Sequence, residues 1–129
     1  MAQVKIFGLR SHLAPIIPAV SDVIHSCVVD ALQYPQDKRA HRFIQLEENE
    51  FFYPAGRSGK YTILEFSMFE GRSVEAKKTL IRLLFERFQS ELGVSSTDLE
   101  MTIFETPRHN WGFRGLPGDE HLLNYKVEV

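Results

Sequence analysis

The run from Tyr61 to Thr106 constrains this 129-residue chain most, because it spells a strand, a sharp corner, a long amphipathic helix and a second strand in succession. Residues 61–69 (YTILEFSMF) set Ile63 apart from Leu64 and Phe66 and are rich in Tyr, Thr, Ile and Phe, as a half-buried strand requires. After the Glu70-Gly71-Arg72-Ser73 corner, Ala76, Leu80, Leu84, Phe88 and Leu92 repeat at helical spacing. Ile81 and Phe85 widen that stripe, while Lys77, Lys78, Arg82, Glu86 and Arg87 stay off it. Ser73 fits the N-cap, Glu75 the positive first turn and Gly93 the position just past the helix end. Residues 99–105 (LEMTIFE) then alternate Leu99, Met101 and Ile103 against Glu100, Thr102 and Phe104. A strand, helix and strand of this length form a right-handed βαβ unit with parallel strands. Arg72 stands where strand gives way to helix. Its guanidinium and the free N–H groups of the helix start either act on one anion, a carboxylate by natural fit, or Arg72 pairs with a nearby Asp or Glu.

The chain before this unit reads as a second copy of the pattern. Residues 3–9 (QVKIFGL) alternate Val4 and Ile6 against Gln3, Lys5 and Phe7, which makes a first strand beginning almost at residue 1. Arg10 to Ala14 reads as a connection, and Pro15 and Pro18 are tolerable only near a helix start. Ile17, Val20, Ile24, Val28 and Ala31 then mark a helix that ends before Tyr34-Pro35. A polar turn, Pro35 to Ala40, leads to a short strand over His41 to Leu46 with Phe43 buried. Residues 47–60 form a connection long enough to be functional or intersubunit.

Two such units, about 2–46 and about 61–106, cover one sheet face with both helices most simply under a pseudo-two-fold. Their first strands then lie adjacent and antiparallel. The expected fold is α+β, a single domain over residues 1–129 with a four-stranded mixed sheet, two helices on one face and short C-terminal strands. In that layout Ala2 falls beside the Gly71-Arg72 corner. The tail, residues 107–129, opens in turn formers and closes with LLNYKVEV, an alternating strand that either completes a neighbour's sheet in a small ring or pairs within its own.

Composition narrows the partners. Fifteen basic against seventeen acidic side chains leave a net charge of −2, with no basic block, so nucleic acid is not an expected partner. Cys27 is the only cysteine, so no intrachain disulfide can form, and a reduced, cytoplasmic setting is expected. No segment reads as a membrane span of roughly 20 apolar residues, and the first residues lack a signal-peptide layout. The five histidines are scattered without ligand spacing, so no metal site is expected.

Four pieces together resemble the tautomerase superfamily, in the branch of 4-oxalocrotonate tautomerase and of roughly 130-residue subunits near malonate semialdehyde decarboxylase. They are the QVKIFGL strand, the segment PQDKRAHRF, the FEGRSVEAKKTL corner and helix, and FETPRHNWGFRGLPGDE with its NYKVEV ending. The resemblance implies a (β-α-β)2 fold, a homotrimer, and cofactor-independent proton transfer on small keto or enol carboxylic acids. It also implies an amino-terminal proline, exposed by loss of the initiator methionine, as the acid, base or nucleophile. Here that position is Ala2.

A terminal amine suits such work because its reference pKa of about 7.7 to 8.0 is the nearest to neutrality of any amine in a protein. Arg72 beside it would lower that value further and hold the substrate carboxylate. Without Met1, Ala2 still offers a primary amine. With Met1 retained, the amine moves by about 3.5 Å along the chain and position 2 becomes an amide, so chemistry of the family type is impaired or lost.

The resemblance also marks Asp37 as a catalytic acid and Arg39 as a substrate contact in the turn, with His25 on the first helix near the substrate. A solvated turn and a packed histidine would explain these residues as well. Trp111 and Phe113, in a Gly-flanked loop, either wall an apolar pocket or pack between subunits. Glu70 stands where dehalogenase-like relatives carry a second arginine, which argues against that reaction. The alternative to an enzyme is a non-catalytic trimeric carboxylate-binding protein of the same fold.

Overall fold

The computed structural model describes all of residues 1–129. Two strand-helix-strand units meet edge to edge. The first comprises β1 (Ala2–Leu9), a short α1 (Arg10–Leu13), α2 (Ile17–Leu32) and β2 (His41–Leu46). The second comprises β3 (Thr62–Phe69), α3 (Val74–Leu92) and β4 (Leu99–Thr106). The sheet order is β2-β1-β3-β4, with β1 and β2 parallel, β3 and β4 parallel, and the central pair antiparallel. The central register sets Ala2 opposite Met68. The start of the first strand therefore lies against the end of the third, as the two-fold reading of the sequence requires.

Alternation decides which face is covered. Ala2, Val4 and Ile6 of β1 and Leu64, Phe66 and Met68 of β3 point into one core with Val20, Ile24 and Val28 of α2 and Leu80, Leu84 and Phe88 of α3. Fully burying a side chain such as Ile6, Leu64 or Phe66 contributes about 1.5–3 kcal/mol, so these positions fix the register. The α3 ends follow the sequence signals. Ser73 Oγ accepts the Ala76 N–H at 3.1 Å, and Gly93 closes the helix in the left-handed conformation at φ 65°.

Three expectations need correction. Arg10 to Ala14 is not a plain connection but the turn α1 running into a 3-10 turn over Ala14–Ile16. Leu13 anchors it, seated so tightly on Gly8 that a Cβ there would lie 2.9 Å from Leu13 Cδ1. Second, Arg10–Leu32 is long and apolar enough by length and composition to cross a membrane, with a mean hydropathy of 1.4. Its apolar side is instead committed to the core, where Val20, Val23, Ile24, Cys27, Val28 and Leu32 are buried. Third, LLNYKVEV joins no strand of its own chain, so the pairing within its own sheet is not formed. The short C-terminal strands are β5 (Gly112–Phe113) and β6 (Leu116–Pro117), an antiparallel pair, and the chain beyond them folds back on itself.

Candidate active site at the start of the first strand

The Met1 amine, Ala2, Tyr34, Lys38, Arg72, Arg108 and Tyr125 gather where β1 begins and β3 ends. Local chain geometry brings each of them there. Gln33, in the left-handed conformation at φ 52°, ends α2 and turns the chain so that the Tyr34 ring is buried and its hydroxyl accepts the Ala2 N–H at 3.2 Å. Tyr125 comes from the tail. Its ring packs edge-on against Tyr34 at 5.1 Å between centroids, its hydroxyl accepts a hydrogen bond from the Met1 amine, and Lys38 Nζ lies 5.8 Å over its face.

Arg72 is buried, at 4% exposure, and pairs with no carboxylate. Nη1 donates to the Phe69 carbonyl at 3.3 Å, whereas Nε and Nη2 are buried without a hydrogen-bond partner. Unpaired N–H groups of a buried cation are costly, commonly about 1–3 kcal/mol each or more, and at this place they present a strong, unspent donor set. Burial holds the guanidinium below its ordinary pKa, while the phenols of Tyr125 and Tyr34 and the carboxylates of Glu105 and Glu128 act in the opposite sense.

The same surroundings act on the terminal amine. Burial, then the positive charges of Arg72, Lys38 and Arg108, push the Met1 amine down from 8.0 to about 4. At neutral pH it carries a free lone pair. Burial raises the pKa of Tyr34 and, with Tyr34 beside it, of Tyr125, so both phenols keep their protons there. A lone pair, two phenolic protons and two free guanidinium nitrogens can together hold a small anion and move a proton on it.

Residues singled out from the sequence divide. Arg72 and Ala2 meet as expected. Asp37 is exposed on the turn, close enough for its charge to act on Tyr34, but the turn residue at the amine is its neighbour Lys38. Trp111 and Phe113 reach the site indirectly, with their rings on Phe69 at 5.2 and 6.0 Å. Trp111 is fixed by its Nε1–H to Thr106 Oγ1 at 2.8 Å, and Arg108 lies 5.5 Å over the same Phe69 ring. These side chains buttress the end of β3, three residues before Arg72.

His25 and Arg39 lie elsewhere. His25 Nε2 bonds to the Gln36 carbonyl at 2.8 Å and Arg39 pairs with Asp22 at 2.7 Å, and both line a separate cavity of about 450 Å3 with Ser26, Asp30 and Gln36. No group of three or more His, Cys, Asp or Glu side chains gathers in a way that could hold a metal. None of the five surface cavities is lined by Met1, Ala2, Arg72 or Tyr125. Tyr125 lies against the Met1 amine and the Tyr34 ring at this place.

Reasoning from sequence missed Tyr34, Lys38, Arg108 and Tyr125. Only Tyr34 left a signal, as a large aromatic in the otherwise polar turn after α2.

Residues 38–114 match the family described as tautomerase enzyme. The probable tautomerase YrdN of Bacillus subtilis (strain 168) is 33% identical over 111 residues, spanning 82% of this chain and 84% of that protein. The probable tautomerase YusQ of the same strain is 28% identical over 111 residues, spanning 81% and 87%. Among solved structures, native fused 4-OT superposes with a TM-score of 0.81 at 17% identity, covering 91% of this chain and 96% of that one. Malonate semialdehyde decarboxylase superposes at 0.77 with 22% identity, covering 86% and 89%. These two likenesses bear on the fold alone. With most of the chain matched to the family and a third of the aligned residues identical to YrdN along most of both lengths, the chain belongs to the tautomerase superfamily.

Proposed function

We propose that the chain descends from cofactor-independent enzymes that shift a proton on small keto or enol carboxylic acids, with a terminal amine as base and Arg72 as the carboxylate partner. In this chain that activity is impaired by Ala2. The observation that carries the reading is the pairing of a buried Arg72, two of whose nitrogens are unpartnered, with an amine pushed down to about 4 in the same corner. A base works best when its pKa lies near the operating pH. The Met1 amine is free at neutral pH but weak, and it stands one residue outside the position of the family's catalytic proline. Loss of Met1 would place a primary amine at Ala2, against the Tyr34 hydroxyl.

Turnover of a phenylpyruvate-type enol tests this in three forms: with Met1, with Met1 removed, and Ala2→Pro with Met1 removed. The expected order of rates is rising, and a proline form no faster than buffer sinks the enzyme reading. The second reading, a non-catalytic carboxylate-binding protein, is favoured by Arg72, whose two unpartnered nitrogens suit a carboxylate whether or not a competent base stands beside them. Saturable binding of a small carboxylate without turnover in any form would select it.

The proposal includes a homotrimer in a cytoplasmic setting. Solved fused 4-OT proteins are described as symmetric and asymmetric trimers, and the sheet face opposite the helices is uncovered here, with Phe104 49% exposed. Sedimentation at equilibrium should return three times the chain mass, and a monomer at micromolar concentration would remove this part.

A further inference from the structure

We propose that Tyr125–Val129 forms a strap that closes the amine and Arg72 corner and that opens while the sheet stays intact. Three points fasten it. Tyr125 bonds the Met1 amine, Val127 is buried against Gly71, and the Val129 backbone oxygen accepts the Ser73 N–H at 2.9 Å at the very start of α3. Between these points Lys126 and Glu128 are exposed, and no residue of the segment joins a strand. Tyr125 packs on the rim of the main core and edge-on against Tyr34, whereas Val127, though buried, lies outside that core. A segment held by so few contacts, with no ladder of backbone bonds, opens at a cost well below that of global unfolding.

What it covers gives the strap its role, and here the inference rests on the reading of this corner as the reactive site. With Tyr125 in place no cavity reaches Met1 or Arg72. The strap also brings the Glu128 carboxylate into the field of Arg72. A small carboxylate therefore has to enter where the protein's own tail and its acid already lie, so the strap gates access and competes with the anion it admits.

Two measurements on the full chain decide it without any substrate, so a failed turnover assay would sink the enzyme reading and leave the strap standing. The first is amide exchange resolved by NMR. The Ser73 N–H is held by the tail, whereas the Glu70 N–H, three residues earlier, is held by Thr106 of the sheet at 2.9 Å. Ser73 should exchange at least about tenfold faster than Glu70, and equal protection of the two would overturn the strap. The second is acylation of the Met1 amine near neutral pH, followed by intact mass and peptide mapping. Tyr125→Ala and Val127→Ala should each accelerate it by about tenfold or more, and rates unchanged from the unsubstituted chain would overturn the proposal. The exchange comparison needs no substitution, so it decides the matter even where a variant fails to fold.

Discussion

The Met1 amine donates to the Tyr125 hydroxyl, a hydrogen bond between residues 124 positions apart. It ties the first backbone nitrogen to the tail, and the two charged groups nearest in effect, Arg72 and Lys38, both oppose protonation of that nitrogen. The fold thus holds its amine in an environment suited to the neutral form.

This makes stability depend on pH in a definite direction. The amine has a pKa of 8.0 unfolded and about 4 folded, so between those values the unfolded chain binds the extra proton. Stability from this source is fully present above pH 8, falls as pH is lowered, and is lost as pH falls through about 4. The amine is only partly shielded and solvent screens it, so the direction is what is predicted. Acetylating the amine removes the titration. The Tm of the free chain should drop relative to the acetylated chain as pH is lowered from 8 toward 4, whereas parallel Tm curves would mean that the amine is solvated.

Arg72 separates binding from stability. Replacing it with Met keeps much of the volume, loses one bond of 3.3 Å to the Phe69 carbonyl and removes two buried, unpartnered nitrogens. Buried charges without full pairing stabilise little, so Arg72→Met should change unfolding free energy by less than about 1.5 kcal/mol in either direction. Binding of a small carboxylate should disappear. Chemical denaturation and calorimetric titration check the two halves, and a variant that keeps carboxylate affinity would remove Arg72 from the site.

The division between what the sequence disclosed and what it hid has a physical basis. Val4, Ile6, Leu64 and Phe66 alternate because one sheet face is buried, so strand placement and the antiparallel centre were legible, and with them the meeting of Ala2 and Arg72. Lys38 and Arg108 were not, because loop side chains are aimed by tertiary packing rather than by period. The tail shows where periodicity misleads. Val127 is buried while Lys126 and Glu128 are exposed, so the alternation was real, but it reflects one side of an extended segment lying on the corner, with no strand alongside.

Arg39 offers a test of which turn residue serves the site. It pairs with Asp22 at 2.7 Å and both side chains are well exposed, so the pair is worth at most about 1 kcal/mol. Arg39→Ala should leave stability and any turnover nearly unchanged, whereas Lys38→Ala should raise the pKa of the Met1 amine toward its ordinary value. A pH profile of amine acylation reads that shift, and an unshifted profile in Lys38→Ala, or a shifted one in Arg39→Ala, would reverse the assignment.

Gly71 joins a backbone demand on residue identity to a steric one. Its φ of +129° is a conformation that side chains rarely adopt, and an added Cβ would lie 3.0 Å from Val127 Cγ1. Gly56 also has positive φ, at +84°, but a Cβ there meets nothing within 4 Å. Gly56→Ala should therefore cost backbone strain alone, about 1 kcal/mol, while Gly71→Ala should cost about 2–3 kcal/mol. In a Val127→Ala background part of the Gly71→Ala cost should vanish, a coupling of about 0.5–1.5 kcal/mol, and the Gly56→Ala cost should not change. Urea denaturation of the two double-mutant cycles measures both couplings. Full additivity at Gly71 and Val127 would mean that the tail does not rest on this corner in solution.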